Sequence, residues 1–373
     1  MTVACKWVGA IFDSSGYASA SRGYINALLD TEQIDLSINA LTFEQQRTTH
    51  HQFQNRVKQF IDRPIPHKIQ ISHLTPENYP THKSKTAYNI AYTAWETSRL
   101  PDKWVPLINL MDEVWVPSKW NKEVFAQSGV KIPIVVIPHV IPIPDISNAK
   151  TPEISVSPDT YIFYSIFQWL ERKNPVGLLK AYLTEFRPHE KVALAIKSYR
   201  IDSSAKEQQV IKDDISRLKK SLQLTEYPQI LFFGNLLPDE YMKGLHNRCN
   251  CFVLPHRGEG FGIPCAGAMS YGKPVIATGY SGVMEFMNKD NSFPISYMET
   301  PVNNMIFPNY TGHMNWAEPN LPEFKQCMRW CFEHQNEAKE IGNKGQAHIR
   351  EHFNSKVIGD MMVQRLREIE KGL

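Results

Sequence analysis

Residues 254–286, LPHRGEGFGIPCAGAMSYGKPVIATGYSGVMEF, hold the densest chemistry of the chain. The apolar run Cys251–Leu254 reads as the end of a buried strand. Arg257-Gly258-Glu259-Gly260-Phe261-Gly262 follows, too glycine-rich for regular structure. Pro264 suits the first turn of a helix, where a missing N–H costs nothing. Gly272-Lys273-Pro274 ends that helix, and Pro274–Ala277 is the next strand. The glycine loop therefore sits at the carboxyl end of a parallel strand, with a helix N-terminus aimed at it. Open α/β sheets bind ligands there, and helix N-termini hold phosphate. An acid such as Glu259 in that loop can accept hydrogen bonds from sugar hydroxyls.

Other residues extend this chemistry. Arg172 and Lys173 are adjacent cations before a helix that opens at Pro175. An Arg binds a diphosphate bidentately and a Lys acts as a point charge; the alternative is a solvated helix start. Lys197 follows the strand Val192–Ile196 at its carboxyl end. The loop Phe12-Asp13-Ser14-Ser15-Gly16-Tyr17 follows the first strand, and Gly16 and its backbone amides can face phosphates. It lacks a full G-x-G-x-x-G, so it is no dinucleotide fingerprint. Trp95 and Glu96 follow the strand Thr86–Ala94. Glu96 suits a general base or a sugar anchor and Trp95 a stacking platform; a packed Trp and a capping Glu are the alternative. His139 reads as structural. His256 and Arg257 lie at the start of the glycine loop, at positions open to a cleft, with no role assigned, and Glu285 reads as an early-helix acid favouring the dipole.

The elements that must position these groups alternate strand and helix. First-half strands are expected at Val3–Phe12, Ile34–Leu41, Lys68–Leu74, Thr86–Ala94, Glu113–Pro117 and Ile134–Ile137, with helices at Ala18–Leu29 and Asn121–Gln127. The stretch Ile141–Pro158, rich in proline, reads as a linker. The pattern restarts with strands Tyr161–Phe167, Val192–Ile196, Ile230–Phe233, Cys251–Leu254 and Val275–Ala277, and helices Pro175–Phe186, Ala205–Leu222 and Asp239–Arg248. Beyond Ser296 the chain reads as irregular through Pro301–Pro319, then helical near 321–338 and 356–370. Such alternation implies parallel sheets with helices on both faces, two Rossmann-like halves in all.

The segment E-G-F-G-I-P, followed by A-M-S-Y-G-K-P-V-I-A-T, resembles the donor-site signature of glycosyltransferase family 4. Leu170-Glu171-Arg172-Lys173-Asn174-Pro175 resembles that family's basic turn at the start of the second domain. Asp112–Ser118 and Val136–Val140 resemble segments near the end of the first. The resemblance implies a retaining, nucleotide-sugar-dependent transferase of the α/β GT-B fold, with two Rossmann-like doubly wound domains facing a cleft. The domains expected are 1–150 on the acceptor side and 160–345 on the donor side, with a C-terminal helix, 346–373, crossing back to the first. It implies donor contacts from Glu259, Phe261, Gly262, Ile263, Pro264 and Lys173, with Glu259 as a catalytic carboxylate. It puts Trp95 and Glu96 in the region near the acceptor, where Glu96, from its own position and not from the family's pattern, is the second candidate catalytic carboxylate. Arg172, Lys197 and Gly16 join the donor side. Three departures stand out. The His that the family often has near the acceptor is missing around Trp95 and Glu96, and His82 lies too early. The family's second Glu, a ribose ligand eight positions after the first, is Gly267 here, and the Arg expected before Lys173 is Phe167. A lost carboxylate contact is worth about 1.5–3 kcal/mol per charged hydrogen bond. Gly267 supports one alternative, a binding partner that has lost activity; a nucleotide-sugar epimerase of GT-B fold is a further alternative.

Composition limits the remaining classes. A chain of 373 residues is long for one core. Net charge is +3 from 41 basic and 38 acidic residues, with no basic run, which argues against nucleic acid. Weak peripheral attraction to an anionic membrane is compatible with that charge. The start, MTVACKWVGAIFDSSG, reads as a first strand and not as a signal peptide, so a cytoplasmic protein with reduced thiols is expected. No D-x-D follows a strand and no His–carboxylate spacing suggests a metal, so no cofactor is expected beyond the nucleotide-sugar donor itself. The partners expected are that donor and a saccharide or glycolipid acceptor.

Overall fold

The computed structural model describes residues 2–43, 51–302 and 309–373. The chain divides into two compact units. The first comprises Met1–Pro142, Pro301–Asn315 and Glu351–Leu373; the second comprises Ile143–Thr300 and Trp316–Arg350.

The first unit is built on a six-stranded parallel sheet of β1 (Val3–Ala10), β2 (Ile34–Leu41), β3 (Ile69–His73), β4 (Tyr88–Tyr92), β5 (Glu113–Val116) and β6 (Ile134–Val136). Its helices are α1 (Gly16–Asp30), α2 (His51–Val57), α3 (Tyr79–His82), α4 (Trp104–Ile108) and α5 (Lys119–Gln127). The strand order is β2-β1-β3-β4-β5-β6, so the chain changes direction across the sheet between β1 and β3. That is the flavodoxin-like doubly wound arrangement.

The second unit holds β7 (Tyr161–Gln168), β8 (Val192–Tyr199), β9 (Gln229–Phe233), β10 (Cys251–Leu254), β11 (Val275–Thr278) and β12 (Phe293–Ile295), again all parallel. Its helices are α6 (Pro175–Glu185), α7 (Ala205–Ser221), α8 (Asp239–Arg248) and α9 (Ile263–Ser270). The order β12-β11-β10-β7-β8-β9 is the dinucleotide-fold order, with its switch between β7 and β10. The loops leaving those two strands carry Lys173 and Glu259.

The apolar runs fill the sheets. Phe163, Tyr164, Leu194, Ile196, Phe252 and Val253 are fully buried on three adjacent strands, as expected of strands covered on both faces. Ile141–Pro158 has no regular structure, in keeping with its prolines. The expectation for residues beyond Ser296 needs correction. β13 (Tyr297–Pro301) and β14 (Asn315–Pro319) form a small two-stranded sheet, while 303–308 lie outside the described residues. The helix expected near 321–338 is two helices, α10 (Leu321–Glu333) and α11 (Gln335–His352), separated by His334 at φ −119°, ψ 58°. The last helix, α12 (Ser355–Gly372), returns to the first unit and packs on α1. Gly359 allows this close approach, because a β-carbon there would stand 2.7 Å from the Ala27 carbonyl oxygen. Arg365 of α12 forms an ion pair with the fully buried Glu113.

Candidate active site

In the second unit, β7 ends in a single 3-10 turn, Glu171–Lys173. Asn174 follows in the left-handed region, φ 55°, ψ 52°, and its side chain caps α6 by accepting from the Gly177 N–H at 3.0 Å. Asn tolerates this conformation better than most residues, and Pro175 opens the helix behind it. Gly177 must lack a side chain, since a β-carbon would come within 2.5 Å of the Asn174 amide. This cap fixes where Lys173 points.

The loop after β10 is locked to that turn. The Arg257 N–H donates to the Arg172 carbonyl at 2.7 Å, and the Arg257 guanidinium donates to the Glu171 carbonyl at 2.9 Å. Arg257 also pairs with Glu318 at 2.7 Å and lies over the Trp316 ring. It is a clamp between loops, engaged on all these sides. The second glycine turn supports the same loop from below. The Glu259 N–H donates to Ser281 Oγ at 3.0 Å, and the Gly282 N–H donates to the Glu259 carbonyl at 2.9 Å. A β-carbon on Gly282 would stand 2.2 Å from the Gly260 carbonyl oxygen. Gly262, at φ +93°, starts α9 in a conformation that favours glycine.

The Glu259 carboxylate is buried and accepts from Lys173 Nζ in a direct ion pair. Arg172 Nη1 is 3.7 Å from its other oxygen and donates to the Gly258 carbonyl at 3.1 Å. Burial would raise the Glu259 pKa, but Lys173 and Arg172 outweigh it and hold the carboxyl below its usual range. Glu259 and Lys173 thus meet across 86 residues of sequence.

The other expected donor-side residues lie in several settings. Lys197 is on β8, almost wholly buried, and burial lowers its ammonium to about 8. Phe261 is buried against Phe286, with ring centroids 5.1 Å apart. Ile263 and Pro264 are half-buried in the first turn of α9. Gly267 is on the same helix, where a β-carbon would meet no atom within 4 Å. Glu285 ends a 3-10 turn, Ser281–Glu285, and is not an early-helix acid. His256 is fully buried, which corrects the expectation of an open position.

In the first unit, Ser15 caps α1 by accepting from the Ala18 N–H, and Gly16 is exposed as the first residue of that helix. The buried Asp13 carboxylate accepts from the Ser15 N–H at 3.1 Å and the Phe43 N–H at 3.3 Å. Trp95 is buried between Trp104 and Tyr310, its indole N–H shared by Thr97 Oγ1 and the Arg99 carbonyl. Its rings serve packing. Glu96 is half-buried and accepts from the Tyr310 hydroxyl. His139 is buried and bonded to the Tyr24 hydroxyl, and burial lowers its pKa to about 3.

Sequence reasoning left His256 without a role and passed over Ser281. Only the position of His256 directly before the glycine loop hinted at involvement.

Residues 148–294 match the family described as Glycosyl transferases group 1. No curated protein sequence matches the chain. Among solved structures, the glycosyltransferase from Rickettsia africae ESF-5 aligns at TM-score 0.70 and 15% identity over the whole of both chains. Sucrose-phosphate synthase (tll1590) from Thermosynechococcus elongatus aligns at 0.70 and 12%, also over both whole chains. Alr3699/HepE of Anabaena, in complex with UDP and glucose, aligns at 0.66 and 14% over 98% of this chain and all of its own. The second unit therefore carries a glycosyl transferases group 1 domain, in a chain of the GT-B fold.

Proposed function

We propose that this protein transfers a hexosyl group from a nucleotide-sugar to a hydroxyl of a saccharide or glycolipid, with retention at the anomeric carbon. The observation that carries the reading is the buried Lys173–Glu259 pair at the switch between β7 and β10, with Arg172 beside it. Lys173, Arg172 and Lys197 would neutralise the leaving diphosphate, and Glu259 would hold sugar hydroxyls. Pre-set cations of this kind stabilise developing charge without reorganisation, so transfer rests on positioning and leaving-group stabilisation. Glu96 would act on the acceptor side. A chain acting on such acceptors belongs to polysaccharide or glycolipid assembly, in the cytoplasm or at its membrane surface. Among the described residues no helix is long and apolar enough to cross a membrane.

The proposal needs no metal, so turnover is expected to persist in EDTA. Loss with EDTA and recovery with Mg²⁺ or Mn²⁺ would refute that part. The main experiment follows nucleoside diphosphate release from UDP-glucose, ADP-glucose and GDP-mannose with glycan and lipid-linked acceptors, with NMR of the new linkage. An α product from an α donor is expected. Gly267 favours a second reading, a binder without turnover. Binding without diphosphate release would support that reading, and conversion of donor without acceptor would point to an epimerase.

A further inference from the structure

His256 is 0% exposed, and neither ring nitrogen has a hydrogen-bond partner among the described residues. Its backbone is fixed: its N–H donates to the Leu254 carbonyl at 2.9 Å, and its carbonyl accepts from Thr278 Oγ1 at 2.5 Å. Burial lowers its pKa to about 4; Glu259 acts to raise it, and Lys173 and Arg172 to lower it further. The ring is therefore neutral at physiological pH, with one N–H to give and one bare nitrogen. Buried polar groups without partners destabilise a fold, and native proteins keep few of them.

The neighbouring ion pair has the complementary problem. A diphosphate at this site competes with Glu259 for Lys173. Arg172 stands 3.7 Å from the carboxylate and already donates to Gly258, so it replaces Lys173 poorly. A buried carboxylate that loses its cation needs a new donor. We propose that His256 is that donor: when an anionic ligand draws Lys173 away, Glu259 turns to the imidazole N–H. The unused nitrogens of the free protein then have a task in the bound one. A charge-assisted N–H to carboxylate bond is among the stronger kinds. His256 is thus a positioning residue, acting through Glu259, and this rests on the nucleotide-sugar reading of the site.

The test compares His256→Leu, which has no donor, with His256→Asn, which keeps one. Each is titrated calorimetrically with inorganic pyrophosphate and with UDP-glucose, and unfolded in urea without ligand. The Leu variant should be at least as stable as wild type yet bind both probes tenfold or more weakly. The Asn variant should bind within threefold of wild type. Variants that both bind like wild type would overturn the inference alone, as would affinity losses in both that merely follow losses of stability. Wild-type protein that binds neither probe would sink the donor reading, and this inference with it.

Discussion

Each unit buries a glutamate against a cation distant in sequence, and the two pairs are built differently. Glu113 stands at the amino end of β5. Arg365 grips it through two nitrogens, the Trp115 indole N–H donates to Oε1 at 2.7 Å, and the Tyr88 hydroxyl donates to Oε2 at 3.4 Å. Its acceptor sites are well supplied. Glu259 stands in a loop at the carboxyl end of β10, on one Lys, with Arg172 at 3.7 Å, and His256, whose ring nitrogens are unpartnered, is close enough to interact electrostatically with it. The first pair is finished and ties α12 to its sheet. The second leaves bonding capacity unused, at the position where doubly wound sheets bind ligands. A saturated buried pair is a structural joint; an under-supplied one is held ready for something else.

Breaking that contrast should have graded effects. The largest is on turnover. Glu259→Gln keeps the shape and removes the charge, and transfer should fall at least a hundredfold, equivalent to about 2.7 kcal/mol of barrier. Turnover within a few-fold of wild type would remove Glu259 from the chemistry. Next, Arg365→Met strands Glu113 and should cost roughly 2–3 kcal/mol in urea unfolding, somewhat under the full cost of breaking a buried pair because Arg365 is partly exposed. A loss below about half a kcal/mol would show that Trp115 and Tyr88 suffice.

Lys197 sharpens the picture through pH. Its folded pKa, about 8, lies below its ordinary 10.5. Between those values the unfolded chain keeps a proton that the folded chain has released, so this residue's contribution to stability rises with pH across that window. Lys197→Met should therefore stabilise the free protein by roughly 2 kcal/mol at pH 7. The gain should shrink between pH 8 and 10.5, while nucleotide-sugar affinity falls. A stability difference that is constant with pH would mean that Lys197 carries no burial penalty. The smallest effect is at Gly267. There is room for a β-carbon there, so Gly267→Glu should fold and should gain helix propensity of about 0.5–1 kcal/mol. Donor affinity should rise by a comparable amount or more, with turnover of bound donor little changed. Unchanged affinity would show that the position does not face the ribose.

Most strands were legible because both sheets are parallel and buried on both faces, so their sequences are compact apolar runs such as Tyr161–Phe167 and Cys251–Leu254. The small sheet of β13 and β14 was not, because Tyr297, Met298 and Glu299 are exposed and carry no alternation. The break at His334 was missed because no Gly or Pro marks it. The signature loop could be placed from its glycines and Pro264. Its internal bonding could not, because Lys173 and Glu259 meet only through the β7–β10 switch. Lys173 accordingly reads in sequence as one of two adjacent cations before a helix start, with no partner. Paired and buried as it is, its removal alone would leave Glu259 without its cation and mix stability with binding.

That makes the double variant Lys173→Met/Glu259→Gln the most direct measurement. It removes both charges and leaves neither unpaired, and neutral replacement of a buried pair often costs little stability. Calorimetric titration of wild type and the double variant with UDP-glucose, ADP-glucose and GDP-mannose should find a donor for the wild type. The variant should bind that donor at least a hundredfold more weakly, with urea stability within about 1 kcal/mol of wild type. A variant that binds the donor as tightly as wild type would show that the pair is a joint like Glu113–Arg365, and would contradict the account.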